Sequence, residues 1–244
     1  MMNRSYKNVV LLSLVTFALW SCSKDDNADS PGSSTNGKST AIFNSNLSYG
    51  TLTDQEGNVY KTITIGTQTW MAENLRTTKY NDGADIPNLN GSWIGLTRGA
   101  YRNYKSSSNN DTIATFGRIY NWYTIGTGKI APEGWHVPTD EEWSTLITYL
   151  NGIFDAGLFI KETGTSHWGS LNFASNESGF TALPGGYYGT DNQCHDIGNM
   201  GGWWSSTEYG GSGAWYRYIY SSSNEVFRIS TPKTLGLSIR CIKD

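Results

Sequence analysis

The chain has 244 residues, 18 of them basic and 21 acidic, for a formal net charge of −3. That balance excludes the basic footprint by which proteins neutralise nucleic-acid phosphates. Charged side chains make up only 16% of the chain while aromatic ones reach 14%, with 10 Trp and 15 Tyr, a balance suited to a turn-rich extracellular domain whose rings pack loops or stack on ligands.

The N-terminus has the three-part form of a secretory signal. Arg4 and Lys7 precede an apolar run from Val9 to Trp20 that is broken only by Ser13 and Thr16 and is too short to span a bilayer comfortably. It ends in Leu19-Trp20-Ser21-Cys22, which resembles a lipobox. On that reading 1–21 is a signal peptide, Cys22 becomes the lipidated first residue, and the lipid on Cys22 makes the membrane a partner. Ser23-Lys24-Asp25-Asp26 follows, a short acidic patch similar to the export signal that takes lipoproteins of Bacteroidetes-type bacteria to the outer face of the outer membrane. From 22 to 48 the chain is dominated by Ser, Asn, Gly, Asp and Thr, so a flexible tether is predicted there. The span 49–244 is long enough for one core and no low-complexity linker divides it, which predicts a single domain.

Thr51-Leu52-Thr53 and Val59–Ile65 have β-branched, alternating character on either side of Asp54-Gln55-Glu56-Gly57-Asn58, a cluster of turn residues. Gly66-Thr67 then predicts a tight reversal into Gln68–Met71. The oxygen-rich Asp54–Asn58 run lacks the distal bidentate Glu of a calcium loop, so a hairpin turn is the better reading. Thr139-Asp140-Glu141-Glu142 spells a capping box, and Trp143, Leu146, Ile147 and Leu150 follow at helical spacing, which predicts a helix with one apolar face ended by Asn151-Gly152. A second helix is predicted from Ile153 to Lys161. Beyond Gly164 short strands are predicted at 179–183, 202–206, 214–220, 225–229 and 237–242, separated by glycines. The fold class is α+β with many loops.

Several motifs recur in a recognisable order: Asp54-x-x-Gly57-Asn58-x-Tyr60, Trp70-Met71-Ala72-Glu73-Asn74-Leu75, Tyr120-Asn121-Trp122, Gly134-Trp135-His136-Val137-Pro138-Thr139, Phe180-x-Ala182-Leu183-Pro184-Gly185-Gly186, Trp203-Trp204-Ser205-Ser206, and Ser238-Ile239-Arg240-Cys241. Together they resemble the Fibrobacter succinogenes major paralogous domain family over nearly the whole of 49–244. The Trp-Ser-Ser segment and the closing Arg-Cys strand are also similar to C-type-lectin-like proteins. The resemblance therefore implies a C-type-lectin-like single domain with small twisted antiparallel sheets, one or two helices and long Gly/aromatic-rich loops. It implies secreted or lipid-anchored surface proteins and brings no catalytic residue with it. The Glu-Pro-Asn, Gln-Pro-Asp and Trp-Asn-Asp triplets that hold calcium and sugar in C-type lectins do not occur here.

The chemistry-bearing residues point the same way. His136, His167 and His195 stand in no His-Glu-x-x-His arrangement and beside no paired cysteines, so neither a catalytic metal nor a cofactor is predicted. Cys194-His195-Asp196 reads as a loop with a structural cysteine rather than a nucleophile with its base. Cys194 and Cys241 either form a disulfide or stay as two buried thiols. From 187 to 220 aromatic residues alternate with Gly, Ser and Asn, and Tyr187, Tyr188, Tyr209, Trp215 and Tyr216 are the candidate ligand-binding residues, on a non-enzymatic module for an extracellular glycan or protein. Trp203 or Trp204 is predicted to be core. The rival readings are a polysaccharide-acting enzyme using Glu133, Asp140 or Glu208 as acid and base, and a structural surface component.

Overall fold

The computed structural model describes residues 33–169 and 171–244, so Cys22 and the signal lie outside the described residues. The first hairpin is set by its turn. Asp54 Oδ1 accepts from the amides of Glu56 and Asn58 (2.9 and 3.0 Å), and Oδ2 accepts from Asn58 Nδ2 and the Tyr60 hydroxyl (2.9 and 2.7 Å). Both carboxylate oxygens serve the turn itself, joining β1 (Gly50–Thr53) to β2 (Val59–Ile65). Gly66, at φ 61°, reverses the chain into β3 (Gln68–Met71) where a side chain would meet the Tyr149 ring.

The next segment contributes β4 (Tyr101–Asn103), α1 (Asn110–Phe116), β5 (Arg118–Asn121), α2 (Trp122–Ile125) and β6 (Trp135–His136). The predicted capping box is present: Thr139 Oγ1 accepts from the Glu142 amide (3.1 Å) and Glu142 Oε2 accepts from the Thr139 amide (2.8 Å), starting α3 (Asp140–Tyr149). The second predicted helix is shorter than expected, α4 (Ala156–Ile160). Then come β7 (Tyr187–Tyr188), β8 (Cys194–His195), β9 (Met200–Tyr209), β10 (Gly213–Tyr220), β11 (Phe227–Pro232), β12 (Gly236–Leu237) and β13 (Ile242–Lys243). They build three antiparallel sheets, ordered β1-β2-β3-β13-β6, β11-β10-β9 and β4-β5-β12-β7-β8. The domain is α+β, mostly sheet with few helices.

Three expectations are corrected. The strand predicted at 179–183 contributes only an isolated bridge from Ala182 to Lys161. The strand predicted at 237–242 is two strands in different sheets, because Ser238 bridges to Trp203 and the chain then crosses to pair Ile242 with Trp70. The described part of the predicted tether, 33–48, is laid along the domain rather than free. Arg76 Nε donates to Thr35 Oγ1 (2.9 Å), the Thr40 amide donates to Thr115 Oγ1 (2.9 Å), and the Ile42 amide donates to the fully buried Glu162 (2.6 Å). Phe43 and Leu47 add apolar contacts. Polar composition describes what this segment lacks by itself; the domain supplies its partners.

One core packs α3 and α4 against the first and second sheets through Trp70, Trp143, Leu146, Phe180, Trp203 and Ile219, with the Trp70 and Trp143 centroids 4.8 Å apart. A second gathers Tyr60, Tyr120, Trp204, Leu237 and Ile239. Trp203 and Trp204 are both core, as predicted. Between them runs a buried polar knot. Asn74 Oδ1 accepts from Trp203 Nε1 and from Arg240 Nε, each at 2.9 Å, and Asn74 Nδ2 donates to the Phe116 carbonyl (2.9 Å). Arg240, fully buried, also donates to the carbonyls of Phe180 and Thr181 and stacks on the Phe180 ring. The motif residues far apart in the chain are thus one structural fastening, and leaving any member unpaired would carry a desolvation cost of about 1–3 kcal/mol.

Candidate functional site

β10 presents two different faces because side chains alternate along a strand. Tyr216, Tyr218 and Tyr220 fall on one face and Trp215, Arg217 and Ile219 on the other. On the tyrosine face Tyr216 stacks on Tyr218 (centroids 5.4 Å, 29°) and Tyr218 on its cross-strand partner Phe227 (4.9 Å, 15°). Tyr220 stands across the end of this ladder, at 83° to Tyr218 and 67° to Phe227. Aromatic pairs of this kind each contribute about 0.5–1.5 kcal/mol beyond their buried area. Tyr216 and Tyr218 rest one flank on the second core, Tyr216 against the Trp204 ring.

The turn behind the ladder is fixed from below. Lys161 Nζ donates to the carbonyls of Tyr220, Ser221 and Ser223 (3.3, 3.2 and 2.8 Å), and burial holds its pKa down to about 8. At the other side of the patch Tyr187 stacks on His195 (5.0 Å, 24°) across the β7–β8 pair. Gly186, at φ 63°, permits that closeness, since a Cβ there would collide with the His195 carbonyl. His195 Nε2 lies 2.9 Å from both oxygens of Asp191, and that hydrogen bond, with help from the Gln193 amide, holds the Asp191 carboxyl below its ordinary value.

Burial raises the phenols of Tyr187, Tyr216, Tyr218 and Tyr220 above their ordinary value, and neighbouring phenols and carboxylates add to the shift. All four are therefore neutral at physiological pH, able both to donate and to accept. Tyr187, Tyr216 and Tyr218 all rest on the second core, which makes the two stacks one candidate patch. Among the described residues no protein hydrogen bond engages any of these four hydroxyls, whereas those of the buried Tyr60, Tyr120 and Tyr188 bond to Asp54, the Thr77 carbonyl and the Gly91 carbonyl.

The candidates named from sequence separate accordingly. Tyr187 and Tyr216 belong to the patch. Tyr188 is corrected: it is fully buried against Trp93, with the Arg102 guanidinium 4.0 Å from its ring centroid. Trp215 does not share a surface with Tyr216. It packs on Tyr209 (4.7 Å, 66°) and is covered by the Arg228 guanidinium 3.4 Å from its centroid. Tyr209 is exposed at that other site. Tyr218 and Tyr220, which lie in the aromatic concentration read from the sequence but outside the five candidates, complete the patch with Phe227 and His195; the signal for the two tyrosines is the alternation Tyr216-x-Tyr218-x-Tyr220. The possible disulfide is corrected too, because Cys194 and Cys241 are both free, and burial pushes the Cys241 thiol well up.

The rival carboxylates are held in structural roles. Asp140 accepts from Arg217 and from Arg228 Nε (2.9 Å), and Glu208 pairs with Lys233 (3.1 Å). Glu133 borders an open cleft of about 440 Å³ beside Asp54, whose two oxygens are already taken by the turn. Each histidine contacts a carboxylate: His136 bridges Asp244 and Glu142, His167 meets Glu162, and His195 meets Asp191. Among the described residues no group of three or more His, Cys, Asp or Glu is placed to hold a metal ion, and no helix is long and apolar enough to cross a membrane. A family model described as the Fibrobacter succinogenes major domain matches residues 63–243. No curated protein and no solved structure matches the chain.

Proposed function

The chain belongs to the Fibrobacter succinogenes major domain family, and on that footing we propose that it is a non-enzymatic glycan-binding module, carried on the outer-membrane surface by a lipid on Cys22, with Tyr187, Tyr216, Tyr218, Tyr220 and Phe227 as its platform. One observation carries this reading: four neutral phenols, their hydroxyls without a protein hydrogen bond among the described residues, are held by ring contacts, three on β10 and Tyr187 against His195. Saccharide hydroxyls both donate and accept, as phenols do, and rings pre-ordered by one another lose little entropy on binding. The small sheets and long loops are compatible with a C-type-lectin-like arrangement, which belongs to the same proposal. Against catalysis weighs the engagement of Asp140 and Glu208 in ion pairs and of Asp54, which lines the cleft at Glu133, in its turn.

The test is a glycan array probed with the full chain in detergent, paired with assays for sugar release. Saturable binding without turnover, lost in Tyr218→Ala while circular dichroism shows the domain still folded, supports the module. Release of sugar that vanishes on changing one carboxylate overturns it in favour of an enzyme. Fatty-acid labelling that is unchanged in Cys22→Ala sinks the anchor, and protease shaving of intact cells decides outward display.

A further inference from the structure

We propose that the cavity at the C-terminal end of α3 binds an alkylammonium ion, through the rings of Tyr149 and Phe159 and the carboxylate of Glu177. None of the ladder residues lines this cavity, and the inference is independent of the glycan reading. The cavity measures about 280 Å³, and its floor is apolar, formed by Ile65 and Leu150 of the core that packs α3 and α4. Two rings make its walls. Gly66 passes so close beneath Tyr149 that a Cβ there would come within 2.9 Å of the ring, which therefore lies against the β2–β3 turn. Phe159 of α4, half-buried, supplies the other.

The carboxylate is placed by the turn that carries it. Asn176, fully buried at φ 51°, is fixed by Thr181: its Oδ1 accepts from the Thr181 amide (2.9 Å) and its Nδ2 donates to Thr181 Oγ1 (3.0 Å). On the other side Ser178 Oγ donates to the Phe159 carbonyl (2.8 Å). Glu177, between them, is exposed and borders the cavity. It is the single charged residue of the lining, and among the described residues its side chain makes no hydrogen bond or ion pair. The helix adds to the demand for positive charge, because α3 brings its negative end here and has no basic residue in its last turn. Among the described residues Tyr149 and Phe159 carry neither a ring partner nor a protein cation, whereas Trp215, Tyr60 and Tyr188 are each covered by an arginine. A carboxylate alone suits a hydrated inorganic ion, and rings over an apolar floor suit a neutral molecule. Together they match a positive charge on an apolar body.

A ligand-observed NMR titration of the full chain in non-ionic detergent compares choline with 3,3-dimethylbutan-1-ol, its neutral carbon isostere, so that charge varies at fixed shape. Butylammonium tests the primary amine, and potassium, read by displacement, tests charge without the apolar body. Choline or butylammonium should bind roughly fivefold tighter than the neutral isostere and than potassium. That preference should be lost in Glu177→Gln, and Tyr149→Ala should weaken the ammonium roughly threefold. Both side chains are exposed, so circular dichroism should show each variant still folded. Equal binding of choline and its isostere overturns the charge selection, and displacement by an equal concentration of potassium overturns the part given to the rings. Ammonium binding left unchanged by Glu177→Gln overturns the site, and no saturable binding of either ammonium overturns the proposal.

Discussion

The two faces of β10 come from alternate residues of one strand and have opposite fates. Trp215, Arg217 and Ile219 turn toward α3, where Ile219 joins the core of Leu146 and Trp143 and both Arg217 and the Arg228 that covers Trp215 are neutralised by Asp140. Tyr216, Tyr218 and Tyr220 turn the other way and pack ring on ring, and among the described residues no protein hydrogen bond engages their hydroxyls. The comparison teaches that aromatic content alone does not mark a binding surface. What separates the two faces is whether the polar ends of their side chains already have partners inside the protein.

The largest effect is expected from breaking the inward face. Leu146→Asp places a charge where the wild-type side chain is almost wholly buried among Trp143, Trp203 and Ile219, which should cost more than about 4 kcal/mol and unfold the domain. Circular dichroism reads this directly; an unchanged melting curve would contradict the packing of α3.

A middle-sized effect distinguishes the faces. Asp140→Ala leaves Arg217, whose side chain is 2% exposed, without its counter-ion, and should cost about 3–5 kcal/mol in denaturant unfolding. Tyr220→Ala, on the other face, should cost about 1–3 kcal/mol, less than Asp140→Ala, while weakening glycan binding roughly tenfold. If the two variants exchanged phenotypes, the assignment of the faces would be reversed.

The smallest effect is a pH dependence at the edge of the inward side. Burial pushes the His136 pKa down, but hydrogen bonds to Asp244 and Glu142 outweigh it, so the folded value lies above 6.5. The folded state therefore binds this proton more readily than the unfolded chain. Its stabilising contribution is complete below pH 6.5 and is lost as pH rises through the raised folded value. His136→Asn should flatten the thermal midpoint across that window, and a wild-type profile that is already flat there would remove His136 as the cause.

Much of the inward architecture is legible locally. The capping box at Thr139, the spacing of Trp143, Leu146, Ile147 and Leu150, and the Asp54–Asn58 turn are each decided by groups within a few residues of one another. Less legible is α1, whose cap is Asn109 accepting from the Asp111 and Thr112 amides inside a polar run with little apolar periodicity. The third sheet is harder still, because β7, β8 and β12 are two residues long and no alternation can be read from two positions.

The sequence by itself determined that this chain has an aromatic, glycine-rich α+β domain of the family to which it belongs, and that its aromatic residues concentrate between 187 and 220. Only the tertiary structure decided which of those rings face solvent. Tyr187 and Tyr188 are chain neighbours, yet one joins the patch and the other lies behind it against Trp93. Only the tertiary structure, too, laid 33–48 along the domain, through Arg76, Thr115 and the buried Glu162. The physical reason is common to both: strand register and polar satisfaction are settled by partners distant in the chain, and a residue's own neighbours carry no record of what will lie across from it.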